Sequence, residues 1–136
     1  MEEMRKGLEI DPTRLDEELA KQAARYLYVA EQAVNADMQY ELFKAQLSQL
    51  EASLDTKIRA EAGDKKMTES AIKAHIETNP DYIKASRTLI ELRGRKEVMK
   101  AYRESWYARK DMLIQLAIKA RSEMEAMLSE TVRASA

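Results

Sequence analysis

Cysteine is absent from this chain of 136 residues, and glycine, proline and phenylalanine are scarce, with three, two and one copies. Without cysteine the chain has no disulfide framework and no thiolate metal site. Because turns depend on glycine and proline, so few of them imply that the secondary-structure elements are few and long. The chain is rich in Ala, Leu, Glu, Lys and Arg instead, which is typical of long helices and coiled coils.

Sites for chemistry are also missing from the sequence. The one histidine, His75, is best interpreted as a packed or surface residue, and no Glu-x-x-His pair, glycine-rich phosphate loop or nucleophile motif is present. We therefore predict a protein that is not an enzyme, with no catalytic residue, no metal and no cofactor. No apolar run approaches the roughly 20 residues of a membrane span, and the N-terminus lacks the apolar core of a signal peptide. We expect a cytoplasmic protein with no membrane partner.

A long apolar stripe with a 3.5-residue period follows Asp11-Pro12, which predicts the start of the first long helix. This period is the signature of a left-handed coiled coil, and Gln22 is the one clearly polar member of the stripe. We expect the helix to end near Glu61 and its stripe to hold copies of the chain together. With Trp106 from further along the chain, the predicted oligomerisation residues are Leu15, Leu19, Tyr26, Val29, Tyr40, Phe43, Leu47, Leu50 and Leu54.

Residues typical of helix N-termini predict two further helices. Thr68 is a candidate N-cap for a short helix to Thr78, and Asn79-Pro80 repeats the cap-and-proline signal before a second long helix. The fold class is thus all-α: a long helical hairpin with a short connector helix, coiled-coil-like and self-associating. Residues 11–131 form one helical domain, between an acidic N-terminal tail (1–10) and a C-terminal tail (132–136). Gly94, inside the last helix, marks either a bend or a close contact.

A basic and aromatic cluster occupies the middle of that last helix. The chain has net charge −1, but residues 1–83 carry 11 basic and 17 acidic residues, while residues 84–136 carry 12 and 7. Cations bind phosphates and flat rings stack on unpaired bases, so the cluster favours single-stranded nucleic acid as a partner. The predicted nucleic-acid-binding residues are Arg93, Arg95, Lys96, Lys100, Tyr102, Arg103, Tyr107, Arg109 and Lys110.

Two alternatives stay open at this point. The basic residues could be a solvated face paired with nearby acids, although Lys96, Arg103 and Lys110 recur seven residues apart along one line. The lone tryptophan, Trp106, is either a core or interface residue or a platform for base stacking. Its place on the apolar stripe favours core or interface.

The order of these features resembles the phage UvsY family of recombination mediator proteins. The resemblance covers roughly residues 9–120 and rests on several short segments. They are Ile10-Asp11-x-Thr13-x-Leu15, Tyr26 and Tyr40 of the long helix, Lys66-x-Thr68-Glu69, Asn79-Pro80-Asp81-Tyr82 and Arg109-Lys110-Asp111-Met112-Leu113-Ile114.

This resemblance implies a ring-shaped homo-oligomer that binds single-stranded DNA. It also implies that the protein helps a RecA-like recombinase replace a single-strand-binding protein, in the host cytoplasm for a phage-encoded chain. The alternative function is a structural coiled-coil scaffolding or adaptor protein without nucleic acid binding. A helical metal or redox enzyme is the third class, and the missing ligands argue against it.

Overall fold

Four helices make up the chain in the computed structural model, which describes residues 1–135. They are α1 (Glu2–Lys6), α2 (Leu15–Ala62), α3 (Glu69–Glu77) and α4 (Pro80–Ser135). The long helices, α2 with 48 residues and α4 with 56, pack as a hairpin, and α3 is the short connector. Residues 1–135 contain no strand. The predicted all-α hairpin with a short connector helix is confirmed.

The caps of α3 and α4 are those that the sequence predicts. Thr68 Oγ1 accepts a hydrogen bond from the Ala71 backbone N–H at 3.1 Å. Asn79 Oδ1 accepts from the backbone N–H groups of Asp81 at 2.9 Å and Tyr82 at 3.2 Å, directly before Pro80 in the first turn. These side chains satisfy donors that have no partner inside the helix, so each helix begins where its cap residue lies.

The start of α2 lies three residues after the predicted one. Asp11 caps a separate turn instead, because its Oδ1 accepts from the Thr13 backbone N–H at 2.9 Å and from the Thr13 hydroxyl at 2.6 Å. These hydrogen bonds stabilise the carboxylate and lower the pKa of Asp11. At the other end, α2 stops at Ala62, before Gly63, whose φ of +57° suits a residue without a side chain.

Two compact units divide the chain. The first comprises Met1–Ala33 and α4 from Met99 onward, and the second comprises Val34–Val98. The core of the first unit contains Val29, Ala33, Met99, Trp106 and Leu113. Residues 1–10, predicted as a tail, belong to this unit and include α1. The predicted C-terminal tail starts within α4, which runs to Ser135, and Ala136 lies outside the described residues.

The second unit is built on Ala36 and Tyr40 of α2 and on Ile72 and Ile76 of α3, all of which are buried. Next to the turn, Arg59 Nη2 donates to Glu69 Oε1 at 2.8 Å, while its Nε donates to Asp55 Oδ1 at 2.7 Å. This ion pair links the end of α2 to the first turn of α3.

No helix within residues 1–135 is long and apolar enough to cross a membrane.

The stripe predicted for oligomerisation is partly covered within the single chain. Of its ten residues, Val29, Tyr40 and Trp106 are buried, and the other seven are half-buried. The hairpin thus uses this stripe as its own seam and leaves seven of its residues partly exposed, so its role in oligomerisation stays a prediction. Other large apolar side chains are exposed on both long helices and hint at an interaction surface elsewhere.

Leu113 and Leu128 offer a matched test of this core, since both are leucines of α4 in the first unit. Leu113 is 0% exposed and Leu128 is 60% exposed. Leu113→Ala should lower the free energy of unfolding by about 2–5 kcal/mol, because it removes buried methyl groups and leaves a cavity. Leu128→Ala should change it by less than about 0.5 kcal/mol. Urea denaturation followed by circular dichroism measures both, and equal effects would contradict the assigned core.

Candidate nucleic-acid interface

The predicted nucleic-acid-binding residues separate into three groups and one single residue, Arg95, in the structure. Arg93 and Lys96 lie in the second unit, against α2. Arg109 is buried in the first unit, where Tyr102 is half-buried. Lys100, Arg103, Tyr107 and Lys110 share one side of α4 in the first unit, and Arg95 is exposed in the second unit.

Arg93 and Lys96 are engaged by side chains of α2. Lys96 Nζ lies 3.2 Å from Asp37 Oδ1 and 4.7 Å from the centre of the Tyr40 ring. The hydrogen bond to Asp37 raises the pKa of Lys96, since it stabilises the charged form. The Arg93 guanidinium lies 5.9 Å from the centre of the same ring. Lys96 thus follows the alternative interpretation, in which basic residues pair with nearby acids. Arg93 is exposed and contacts the ring without an acid partner.

Arg109 is the centre of a buried polar cluster in the first unit, and its side chain is 2% exposed. Its Nη1 donates to Gln22 Oε1 at 2.8 Å, and its Nη2 donates to the Glu18 carboxylate. The remaining hydrogen bonds reach the N-terminal segment: Nε to the Leu8 carbonyl at 3.1 Å and Nη2 to the Glu9 carbonyl at 3.0 Å. Arg109 was predicted to bind nucleic acid, but its donors are used for packing in this structure.

Trp106 is buried beside this cluster. Its indole Nε1 donates to the Met4 carbonyl at 3.2 Å, and its own carbonyl accepts from Gln22 Nε2 at 2.6 Å. Gly7 packs so closely on the ring that an added Cβ would lie 2.9 Å from Trp106 Cζ2. The structure therefore supports the core interpretation of Trp106, which the stripe position favours. Tyr102 lines a hollow with residues of the same N-terminal segment, Glu2, Arg5, Lys6 and Glu9.

Four side chains of α4 form what we call the basic-aromatic face: Lys100, Arg103, Tyr107 and Lys110. Their spacing of three, four and three residues places them along one side of α4. Tyr107 is 56% exposed, and its ring centre lies 5.9 Å from that of Tyr26 on α2, at an interplanar angle of 60°. Lys110 Nζ lies 4.6 Å from the centre of the Tyr107 ring. An open hollow of about 330 Å³ at this face is lined by Tyr26, Tyr107 and Lys110. A second open hollow, of about 410 Å³, lies elsewhere in the unit, beside Trp106.

The sequence did not reveal the partners of Arg109. Glu18 is one of three consecutive acids in the first turn of α2, and neither it nor the carbonyls of Leu8 and Glu9 carry a sequence signal for this role. Gln22 did carry one, since it is the polar member of an apolar stripe and so predicts a buried hydrogen-bonding partner. Tyr26 was assigned to oligomerisation, whereas its ring contacts Tyr107 of the basic-aromatic face.

Within residues 1–135, no group of three or more His, Asp or Glu side chains is placed to hold a metal ion. Comparisons with protein-family models, curated proteins and solved structures give no significant match to this chain. The function is therefore argued from the geometry of the basic-aromatic face and from the sequence.

Removal of Arg109 tests its assignment to the core. Arg109→Ala leaves two backbone carbonyls without their donor and the Glu18 carboxylate with only the partly exposed Arg25 at 3.6 Å, so the free energy of unfolding should fall by about 3–5 kcal/mol. The exposed Arg121 of α4 is the control, and Arg121→Ala should change it by less than about 0.5 kcal/mol. The double variant Glu18→Leu, Arg109→Met should recover part of the loss, because neither charge is then left alone. Equal stability of Arg109→Ala and the parent in urea denaturation would contradict this role.

Proposed function

We propose that this protein binds single-stranded DNA through the basic-aromatic face and acts as a recombination mediator that helps load a RecA-like recombinase. The observation that carries the proposal is the exposed Tyr107 ring with Lys100, Arg103 and Lys110 along the same side of α4. Glu104 is the one acid in the sequence between Lys100 and Lys110, so the local charge is positive.

The chemistry of this face suits an unpaired strand. Lysine and arginine bind phosphates at any sequence, and an exposed ring stacks on any base. Tyr26 supports the Tyr107 ring from α2, and Lys110 lies over that ring, so the platform and its nearest cation are held together. A double helix would not offer its base faces to such a ring, which favours single strands as the ligand.

A site of three cations can contact only a few phosphates, so the proposal includes self-association. We propose that several copies bind one strand together, since joined weak sites reach a much higher effective affinity than each alone. A homo-oligomer, in the form of a ring, is also what the resemblance to the UvsY family implies. The recombinase and a single-strand-binding protein are proposed as partners on that resemblance.

A structural scaffolding or adaptor protein is the second candidate function. The observations that favour it are the burial of Arg109 and the pairing of Lys96 with Asp37, which take two of the predicted cations for contacts within the chain. This alternative predicts no binding of single-stranded DNA, even at low salt.

The salt dependence of binding tests the cations. Each phosphate contacted on a single strand contributes about −0.7 to the slope of log affinity against log salt concentration. Replacement of Lys100, Arg103 and Lys110 with Gln should therefore make the slope shallower by about 2 and weaken binding of a labelled oligothymidine. The control replaces the exposed Lys44, Lys57 and Lys73 of the second unit with Gln and should keep the parent slope. Equal slopes for all three proteins would exclude this face as the phosphate site.

The contribution of stacking is tested with Tyr107→Ala. A base stacked on an aromatic ring is worth about 1–3 kcal/mol, so the variant should bind the strand roughly 5- to 150-fold more weakly. Tyr28→Ala is the control, because Tyr28 is an exposed tyrosine on α2 of the same unit. Fluorescence anisotropy at fixed salt measures both. Unchanged affinity of Tyr107→Ala would discard stacking and leave electrostatics as the mechanism.

A further inference from the structure

The hollow at the basic-aromatic face opens between α2 and α4. Leu19, Ala23 and Tyr26 of α2 line one wall, and Tyr107 and Lys110 of α4 line the other. Its volume of about 330 Å³ lies at the lower end of the range of roughly 300–1,000 Å³ that is usual for small-molecule pockets. The hollow therefore has room for one flat ring system.

The lining of this hollow offers flat and apolar surfaces and few groups that could distinguish one base from another. Gln22 also lines it, but this side chain is buried and its amide is used within the chain. Its Nε2 donates to the Trp106 carbonyl, and its Oε1 accepts from Arg109. The hydroxyl groups of the two tyrosines both donate and accept hydrogen bonds, so they suit any base. The hollow thus favours a flat aromatic ligand without selecting its hydrogen-bonding pattern.

The cations of α4 lie on the side of Tyr107 that faces the hollow. Each residue turns about 100° around a helix, so Arg103 and Lys110 lie about 40° and 60° from Tyr107 toward the side that lines the hollow. Glu104 and Asp111 lie at similar angles on the opposite side of Tyr107. A strand whose base enters the hollow would therefore place its phosphates near the cations and away from these acids.

Asp16 is on the same side of α2 as Ala23, but it lies at a distance from the cations. Seven residues separate it from Ala23, about 10 Å along the helix axis, and it lines a different hollow together with Ala117. Ala117 follows Lys110 along α4, whereas Arg103 precedes it. The row of cations therefore runs from the hollow in the direction away from Asp16.

The second hollow of this unit, beside Trp106, lacks this pattern of charge. Its lining includes the acid Glu3, and the cation that lines it, Arg25, lies 3.6 Å from the Glu18 carboxylate. The phosphates of a strand would meet an acid and a paired cation there. Of these two hollows, the one between Tyr26 and Tyr107 is thus the one whose charges suit a nucleic acid.

We propose that the hollow between Tyr26 and Tyr107 takes one unpaired base of a single strand, whose phosphates bind Lys110 and Arg103. The base stacks on the Tyr107 ring from the side of the hollow and covers Leu19 and Ala23. This inference rests on the proposed function and specifies the group of the ligand that enters the protein: each copy takes one base, at any sequence. The paired and stacked bases of a double helix do not fit this arrangement.

An Ala23→Met variant tests the insertion, since it fills the hollow without altering Tyr107 or any cation. Ala24→Met is the matched control, because Ala24 is the next residue of α2, is also exposed and lines the second hollow instead. Alanine and methionine are both strong helix formers, so circular dichroism should show the parent helix content for both variants. Two labelled strands of equal length serve as probes: oligothymidine, and an abasic strand that keeps the phosphates and sugars but has no bases.

At fixed low salt, the parent and Ala24→Met should bind oligothymidine more tightly than the abasic strand. The expected difference is roughly 5- to 150-fold for each copy on the strand, the contribution of one stacked base. Ala23→Met should bind oligothymidine about as weakly as the parent binds the abasic strand. Its affinity for the abasic strand and the salt slope with that strand should equal those of the parent, because the phosphate contacts are unchanged.

Three outcomes would overturn the insertion of a base while leaving DNA binding intact. The first is equal affinity of the parent for the two strands. The second is parent-like binding of oligothymidine by Ala23→Met, which would place any stacked base on the outer side of the Tyr107 ring. The third is an equal loss of affinity for both strands in Ala23→Met, which would assign the hollow to phosphates or to another copy. If the parent binds neither strand, the proposed function fails and the inference fails with it.

Discussion

The packing of the first unit depends on the buried charge of Arg109. A guanidinium keeps its charge and has five N–H donors, so its burial requires acceptors on several sides. Those acceptors come from three places along the chain: the Leu8 and Glu9 carbonyls, the Glu18 carboxylate and the Gln22 side chain. Meeting this requirement fixes the N-terminal segment over Trp106 and sets how α2 and α4 meet in this unit. Among residues 1–135, no buried side-chain nitrogen or oxygen lacks a hydrogen-bond partner.

Local signals made most of the fold predictable. Thr68 and Asn79-Pro80 located the starts of α3 and α4, because an N-cap acts on backbone groups only two or three residues away. The heptad stripe likewise identified the residues of the hairpin seam. It could not show whether the seam would be filled by the same chain or by a second copy, since both bury the same side chains. The stripe was therefore assigned to oligomerisation, whereas the structure packs it in part within the chain.

The candidate site was less predictable, for a physical reason. A count of charges along one helix does not show which acids approach from another. Arg109 and Glu18 are 91 residues apart, and Lys96 and Asp37 meet only because α2 folds beside α4. Those contacts bury Arg109 and pair Lys96 with Asp37. Four of the predicted residues remain together on one side of α4: Lys100, Arg103, Tyr107 and Lys110. The prediction of a basic-aromatic cluster thus narrows to four residues.

Lysine footprinting by acetylation and mass spectrometry tests the central claim, binding of single-stranded DNA at the basic-aromatic face, most directly. The parent protein is acetylated with and without saturating oligothymidine, and the modification rate of each lysine is compared. The account predicts protection of Lys100 and Lys110, with Lys44, Lys57 and Lys73 modified at the same rate in both samples. Unchanged rates at Lys100 and Lys110, with or without protection of other lysines, would contradict it.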